Sequence, residues 1–271
     1  MDKSDLAVRM KEYEFVSRHY LTRRVPVMIR CDMRAGHSFT KGFERPFDNI
    51  FIKSMQETAK YMCENIQGCV MAYTQSDEIT LVLIDYKNIN SSAWFDYRAD
   101  KVISIAASMS TMAFNKFFAK EVHDFRNSMK YDDDGCLDKY EYNLWTVYHN
   151  AVDQGAMFDA RAFNIPKEEV TNCVYWRQQD ATRNSVQMVG QANFSHKELQ
   201  NKSCNDIQDM LMTQKNINWN DLPTYQKRGS CCIREYYEID SVMRTRWVID
   251  TEIPLFKGDG RQYIEKLIHF E

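Results

Sequence analysis

The segment CVMAYTQSDEITLVLI, residues 69–84, decides the fold. Two apolar runs, 69–73 and 79–84, flank the polar residues TQSDE, a pattern that predicts two antiparallel strands joined by a tight turn. Asp77 lies at the tip of this predicted hairpin.

Upstream of the hairpin, the run VPVMIRC, residues 25–31, reads as a buried strand that stops at Asp32. Between this strand and the hairpin, apolar residues recur at helical spacing from an N-cap at Asp48 to a stop at Gly68. The spacing predicts one amphipathic helix.

Downstream, apolar residues on one face between Ile103 and Phe117 predict a second helix, and Met157–Ile165 predicts another strand. The order βαββαβ belongs to the α+β, ferredoxin-like fold, in which the first and third strands pair in the middle of an antiparallel sheet. Asp32 and Asp77 should therefore meet at one end of the sheet. We predict a palm-like catalytic domain over residues 5–166 and a mainly helical region over residues 167–271.

The composition is that of an ordinary globular protein, with 44% apolar and 27% charged residues in a chain of 271. A formal net charge of −3 supplies no overall positive field, so any contact with nucleic acid must be local. The apolar runs are short, and residues 1–9 lack the pattern of a secretory signal. We expect a cytoplasmic protein with no membrane partner.

Asp32 and Asp77 suit a magnesium site. Mg²⁺ takes oxygen ligands and binds through one or two carboxylates plus substrate phosphates. Two such ions, roughly 3.5–4 Å apart, activate an attacking oxygen and support a leaving group. Aspartates at strand ends are also common turn and cap residues, so the pair alone leaves both interpretations open.

Five segments give this pair a context: RCDMRAGHSFT (30–40), FERPFD (43–48), AYTQSDEITLVL (72–83), FDARAFNIP (158–166) and WRQQDATRNS (176–185). In this order they resemble the signatures RxDGRxFHxF, FxKPxD, YGQSDExSF, FDxRxxxxP and WRQxD of the tRNA-His guanylyltransferase (Thg1-like) family. The stretches DATRNS, HKEL and INWNDLPT resemble its bacterial, archaeal and phage branch.

The resemblance implies a polymerase-type palm that adds nucleotides to the 5′ end of tRNA in the 3′–5′ direction. It implies two Mg²⁺ ions held by Asp32, Asp77 and the backbone carbonyl of Met33, a homotetramer, and ATP, GTP and other nucleoside triphosphates as substrates. Arg45, at the place of the family's lysine, is implied to act in catalysis beside the triphosphate or the activated 5′ end. The implied nucleotide-binding residues are Asp32, Met33, Arg34, Ala35, Gly36, His37, Ser76 and Asp77.

Polar residues in the second half are candidates for RNA contact. Arg177, Gln178 and Asn184 lie at helical spacing and suit either tRNA contact or a polar subunit interface. Lys227 and Arg228, in KRGSCCIR, suit phosphate contact or a basic surface strand. Trp176 suits stacking on a base, although an aromatic residue beside a helical stripe is more typical of a core.

By resemblance, ATP first adenylylates a 5′-monophosphate, and the 3′-hydroxyl of an incoming nucleotide, often GTP, then displaces AMP. Thr182 replaces a histidine of the eukaryotic members, which favours templated tRNA repair over strict tRNA-His guanylylation. Met33 replaces the glycine of DGR, a costly change if the backbone there has a positive φ.

Two other functions are alternatives. Another palm-type enzyme, such as a nucleotide cyclase, would share the paired aspartates, but WRQQD and FDARAF argue against it. A non-catalytic RNA-binding module would need neither Asp32 nor Asp77.

Overall fold

The computed structural model describes residues 4–130, 137–240 and 242–269. These residues form one six-stranded sheet with the order β4-β1-β3-β2-β5-β6, in which all neighbouring strands are antiparallel. The strands are β1 (Val27–Met33), β2 (Cys69–Gln75), β3 (Glu78–Leu83), β4 (Phe158–Asn164), β5 (Ser230–Ile239) and β6 (Val242–Asp250).

Helices of very different length surround the sheet. They are α1 (Asp5–Val16), α2 (Gly36–Phe39), α3 (Asn49–Asn65), α4 (Ala99–Ser128), α5 (Lys139–Gln154), α6 (Lys167–Asn193), α7 (His196–Leu199), α8 (Cys204–Lys215), α9 (Thr224–Arg228) and α10 (Gln262–Ile268). The main elements of the first part follow the order β1-α3-β2-β3-α4-β4. This order confirms the predicted ferredoxin-like arrangement.

The first and third strands pair in the middle of the sheet, as predicted. Their register sets Asp32 opposite Glu78, the residue that follows Asp77. β1 continues past its predicted end at residue 31, because Asp32 and Met33 also pair with β4. The hairpin turn is likewise shorter than predicted: Gln75 pairs with Glu78, which leaves two residues in the turn.

One face of the sheet carries the larger core. Alternate residues of β1 and β3, including Ile29, Cys31 and Leu81, are fully buried in one cluster with residues of α3 and α4. The Asp48 carboxylate caps α3 by accepting a hydrogen bond from the Phe51 amide at 2.8 Å, which confirms the predicted N-cap. The predicted helical periodicity thus describes the buried face of α3.

The opposite face is only partly covered. Met28 and Val82 pack against Val170 and Val174 of α6. The β4 residues on this side, at positions 159, 161 and 163, are exposed. The edge strand β4 therefore presents an uncovered face next to the end of β1.

Residues 167–269 contain more helix than strand, as predicted, but β5 and β6 extend the palm sheet through pairing with β2. The sequence offered a basic surface strand at residues 227–234 as an alternative but predicted neither β6 nor pairing with the palm, because most of the length beyond Ile233 is exposed on both faces and lacks alternating polarity. The sheet runs through the predicted boundary at residue 166. Division into regions 5–166 and 167–271 stays a prediction.

Helix α4 is long and apolar enough, by length and composition alone, to cross a membrane. It packs against α3, α5 and β4 and buries Val102, Ala106, Phe114 and Phe118. These contacts are those of a core helix.

Candidate active site

The turn between β2 and β3 brings Asp77 against the loop that follows β1. The Met33 amide donates to the Asp77 carbonyl at 3.0 Å. A Cβ atom built on Gly36 would lie 2.0 Å from Asp77 Oδ2, so the carboxylate occupies the space that any larger side chain would need. Ser76 adopts a φ of 48°, which turns the chain between the strands. Two segments far apart in sequence thus meet at this carboxylate.

Asp32 shares this negative end of the sheet. Burial and the neighbouring carboxylates of Asp77, Glu78 and Asp159 raise the pKa of Asp32, whereas the Arg161 guanidinium lowers it. Burial is the largest cause, and three carboxylates add to it while one guanidinium opposes them. A cation between Asp32 and Asp77 would relieve this repulsion.

Methionine in place of the family's glycine at position 33 causes no backbone strain. Met33 ends an extended strand, and its side chain is buried in the core beneath the sheet. The left-handed conformation is instead taken by Ala35, with a φ of 55°, just before α2 begins at Gly36. The expected cost at Met33 is therefore absent.

A second loop carries Arg45. Asp48 holds this loop: its carboxylate accepts from the Glu44 amide at 3.0 Å and from the Tyr148 hydroxyl at 2.5 Å. Arg45 itself is exposed. The loop is thus anchored at its end, while the guanidinium is left facing solvent.

The two loops border a cavity of about 450 Å³, large enough for a nucleoside. It lies between α3, the β2–β3 turn, α6 and α9. Five residues predicted for nucleotide binding or catalysis line it: Gly36, His37, Arg45, Ser76 and Asp77. The other four predicted residues lie outside the lining, at the end of β1 and in the two residues that follow it: Asp32, Met33, Arg34 and Ala35.

Comparison with known proteins agrees with this geometry. The family model for tRNAHis guanylyltransferase matches residues 7–166, more than half of the chain. This chain belongs to the tRNA-His guanylyltransferase family. Members of the family are nucleotidyltransferases.

Two solved structures and one sequence relative show the extent of the similarity. A bacterial tRNA(His) guanylyltransferase-like protein in complex with ATP is 39% identical, with a TM-score of 0.80 over 98% of this chain and 100% of that one. A similar bacterial protein in complex with GTP is 35% identical, with a TM-score of 0.77 and the same coverage. The tRNA(His) guanylyltransferase of Schizosaccharomyces pombe is 26% identical over 83% of this chain and 79% of its own length. The chain therefore has the palm-like fold of the family, and it resembles the bacterial branch throughout its length.

Enzymes of the family generally need metal ions, and the residues at the sheet end fit one. Asp32 and Asp77 offer hard oxygen donors, and a cation bound there would offset the repulsion between Asp32 and its neighbouring carboxylates. Within residues 4–130, 137–240 and 242–269, no group of three or more His, Cys, Asp or Glu side chains is arranged to hold a metal. Backbone carbonyl, substrate phosphate and water oxygens would have to complete the ligand set.

Two of the residues predicted to contact RNA are structural, and the prediction is wrong for them. Arg177 is 8% exposed, with its guanidinium 2.8 Å from both Glu78 and Asp180. Gln178 is fully buried. Its side-chain NH₂ donates to the Pro254 carbonyl at 2.8 Å, and its side-chain oxygen accepts from the Phe256 backbone amide at 3.0 Å. Helical spacing alone does not reveal which polar positions face the interior.

The other candidates for RNA contact lie at or near the cavity. Asn184 lines it from α6. Lys227 and Arg228 are half-buried on α9, beside the lining residues Tyr225 and Gln226. Lys227 donates to a backbone carbonyl at residue 220. RNA contact by these three residues stays a prediction.

The sequence did not single out several residues that line the cavity. They belong to five different elements or loops: Thr40, Phe43, Gln56, Gln75, Ser185, Met188 and Ser230. Gln56 donates to Ser230 at 2.8 Å, which joins α3 to the start of β5. No spacing rule connects such distant positions, so only the tertiary structure identifies them.

Proposed function

We propose that this protein adds nucleotides to the 5′ end of tRNA in the 3′–5′ direction, using ATP for activation. The close approach of Gly36 to Asp77 carries the proposal, because it joins the predicted triphosphate loop to the carboxylates beside a nucleoside-sized cavity. The bacterial structures with ATP and GTP support the substrate class.

We infer that Asp32, Asp77 and the Met33 carbonyl hold two Mg²⁺ ions when substrate is bound. The ions would supply charge neutralisation and activation of the attacking oxygen. The backbone amides and side chains of residues 34–37, together with Ser76, would orient the triphosphate. Gly36 is suited to this place because it leaves room for the Asp77 carboxylate.

The reaction has two displacement steps. In the first, an oxygen of the RNA 5′-monophosphate attacks the α-phosphate of ATP and pyrophosphate leaves. In the second, the 3′-hydroxyl of an incoming nucleotide attacks the RNA 5′-phosphate, loses its proton and displaces AMP. Arg45 faces solvent at the cavity and would stabilise the charge that develops on the phosphoryl oxygens. Such transfers depend on positioning and electrostatics and need no covalent protein intermediate.

We further propose that the main reaction is templated repair of 5′-truncated tRNA. Thr182, which stands where eukaryotic members have histidine, donates to the Gln178 carbonyl at 3.0 Å and lies outside the lining of the cavity. Selection would therefore fall to base pairing, since a correct pair positions the incoming 3′-hydroxyl for attack. Asn184, Lys227 and Arg228 are the proposed RNA contacts.

The test compares kcat/KM for extending several 5′-truncated tRNAs with kcat/KM for adding guanosine to full-length tRNA-His. Labelled transcripts, MgCl₂, ATP and each nucleotide in turn are supplied. The proposal predicts a preference for truncated tRNAs and for the nucleotide that restores a Watson–Crick pair. A preference for full-length tRNA-His would refute repair, and nucleotide consumption without RNA would indicate a cyclase.

A homotetramer remains part of the proposal. Helix α1 has no buried residue, and Leu6, Tyr13, Phe15 and Val16 are each at least 60% exposed. Contacts between subunits would cover this apolar surface. Light scattering of the purified protein gives the mass directly, and a monomer at assay concentration would contradict the tetramer.

A further inference from the structure

Trp176 is an exposed indole beside the catalytic end of the sheet. Its side of α6 leaves it 54% exposed, while the next two residues, Arg177 and Gln178, are buried. The Arg177 guanidinium carbon lies 4.5 Å from the indole centroid, and that of Arg30 lies 5.9 Å away. An aromatic ring that contacts two guanidinium groups and is still about half exposed offers its free area to a ligand.

The residues beneath the indole are fixed. Arg177 is tied to the buried Glu78 and to Asp180 at 2.8 Å each. Arg30 lies 3.8 Å from the same Glu78 carboxylate, and its buried Nε has no hydrogen-bond partner among the described residues. The indole thus lies beside a network of ion pairs centred on Glu78, the residue that follows Asp77 and begins β3. Such a rigid aromatic surface loses little entropy on binding.

Arg30 links the indole to the neighbouring strand β4, whose face on this side is uncovered. Arg161 lies opposite Arg30 in the backbone register of β1 and β4, and its side chain is half exposed. Phe163 is 37% exposed on the same face. Together Trp176, Arg30, Arg161 and Phe163 form what we call the β4 shelf. It combines aromatic surface with two guanidinium groups, the combination that binds bases and phosphates of single nucleic-acid strands.

The β4 shelf lies one nucleotide step from the proposed reaction centre. Arg30 and Asp32 are two residues apart on β1 and face the same side of the sheet, about 7 Å from each other along the strand. A nucleotide whose 5′-phosphate is held near Asp32 would therefore bring its own base toward Trp176.

We propose that Trp176 stacks on the base of the 5′-terminal nucleotide of the RNA, with Arg30 and Arg161 beside its phosphates. This inference rests on the proposed function. It assigns the 5′-terminal nucleotide of the RNA to the β4 shelf and the nucleoside triphosphate to the cavity between α3 and α6, and leaves Asn184, Lys227 and Arg228 to contact other parts of the RNA. Stacking on a base would cover the indole, which lies on the exposed side of α6 with Asn172 and Gln179.

The experiment is a double-mutant cycle with the full-length protein. Wild type, Trp176→Ala and Trp176→Phe are titrated with a 5′-truncated tRNA and with the same tRNA lacking the base of its 5′-terminal nucleotide. Tyr140→Ala, at a side chain 65% exposed on α5, is the matched control. Binding of Mg·ATP and thermal midpoints are measured for every variant.

Trp176→Ala should weaken binding of intact tRNA by about 5- to 150-fold, the factor expected for losing one stacked base. The base-lacking tRNA should bind wild type and Trp176→Ala with similar affinity, since the contact is already absent. Trp176→Phe should retain most of the affinity, and Mg·ATP binding and the thermal midpoint should not change.

Direct stacking would be overturned if Trp176→Ala weakened the binding of the base-lacking tRNA by the same factor as the binding of the intact tRNA, because the two changes would then be additive. So would a loss of RNA affinity that accompanies dissociation of the oligomer, because Trp176 would then be a subunit contact. If wild type extends tRNA and Trp176→Ala binds it normally, this inference alone fails. If wild type neither binds nor extends tRNA, the proposed function fails.

Discussion

Gly36→Ala tests the geometry on which the proposed site depends. Gly36 begins α2 with an ordinary helical backbone, so alanine is acceptable there and has a higher helix propensity. The added Cβ would nevertheless lie 2.0 Å from Asp77 Oδ2 and 2.9 Å from its Cγ. Ordinary contact begins at 3.4 Å, so the carboxylate oxygen has to move by about 1.4 Å.

A displacement of this size is large for a metal-binding group. A shift of about 1 Å in a catalytic group costs on the order of 10²-fold in rate. We therefore expect Gly36→Ala to lower kcat/KM for nucleotide addition by at least about 10²-fold. The thermal midpoint should stay within a few degrees of wild type, since the conflict falls on a half-buried side chain at the surface.

The assay measures incorporation of labelled nucleotide into 5′-truncated tRNA at saturating Mg²⁺, with calorimetry on the same preparations. Ser38→Ala, at an exposed position in the same short helix, controls for general disturbance of α2 and should retain activity. Activity of Gly36→Ala within twofold of wild type would show that the Asp77 carboxylate is not needed where the structure places it.

Three further predictions use other parts of the site. Asp32→Asn should abolish nucleotide addition. The same substitution should raise the thermal midpoint of the metal-free protein at pH 7, because the raised pKa of Asp32 means that its charged form is disfavoured in the fold. This rise in midpoint should shrink as the pH falls through the pKa of Asp32. A lower midpoint at pH 7 would refute this sign. Arg45→Ala should slow nucleotide addition by about 10- to 10³-fold at an unchanged midpoint, and an equal rate at limiting ATP would make Arg45 a surface charge only. Arg177→Ala should lower the free energy of unfolding in urea by on the order of 3 kcal/mol, because Glu78 stays buried without its main partner, whereas Arg183→Ala, at the exposed partner of Asp180, should cost less than about 1 kcal/mol.

Local patterns in the sequence were sufficient for the palm. The runs around residues 25–31, 69–73 and 79–84 are short, apolar and separated by turn residues, and the helix between them has a capping aspartate at its start. Such signals act within a few residues, so they survive without knowledge of the fold. The strand order then followed from the ferredoxin-like topology, which puts the ends of β1 and the β2–β3 hairpin side by side.

The sequence alone thus specified the order of the first four strands, the family, and the meeting of Asp32 and Asp77 at one end of the sheet. Only the tertiary structure decided which polar residues of α6 turn inward, since Arg177 and Gln178 find their partners on β3 and in the loop after β6. It likewise exposed Trp176 and left one face of β4 uncovered. Burial is a property of packing between distant segments, and spacing along one helix cannot specify it.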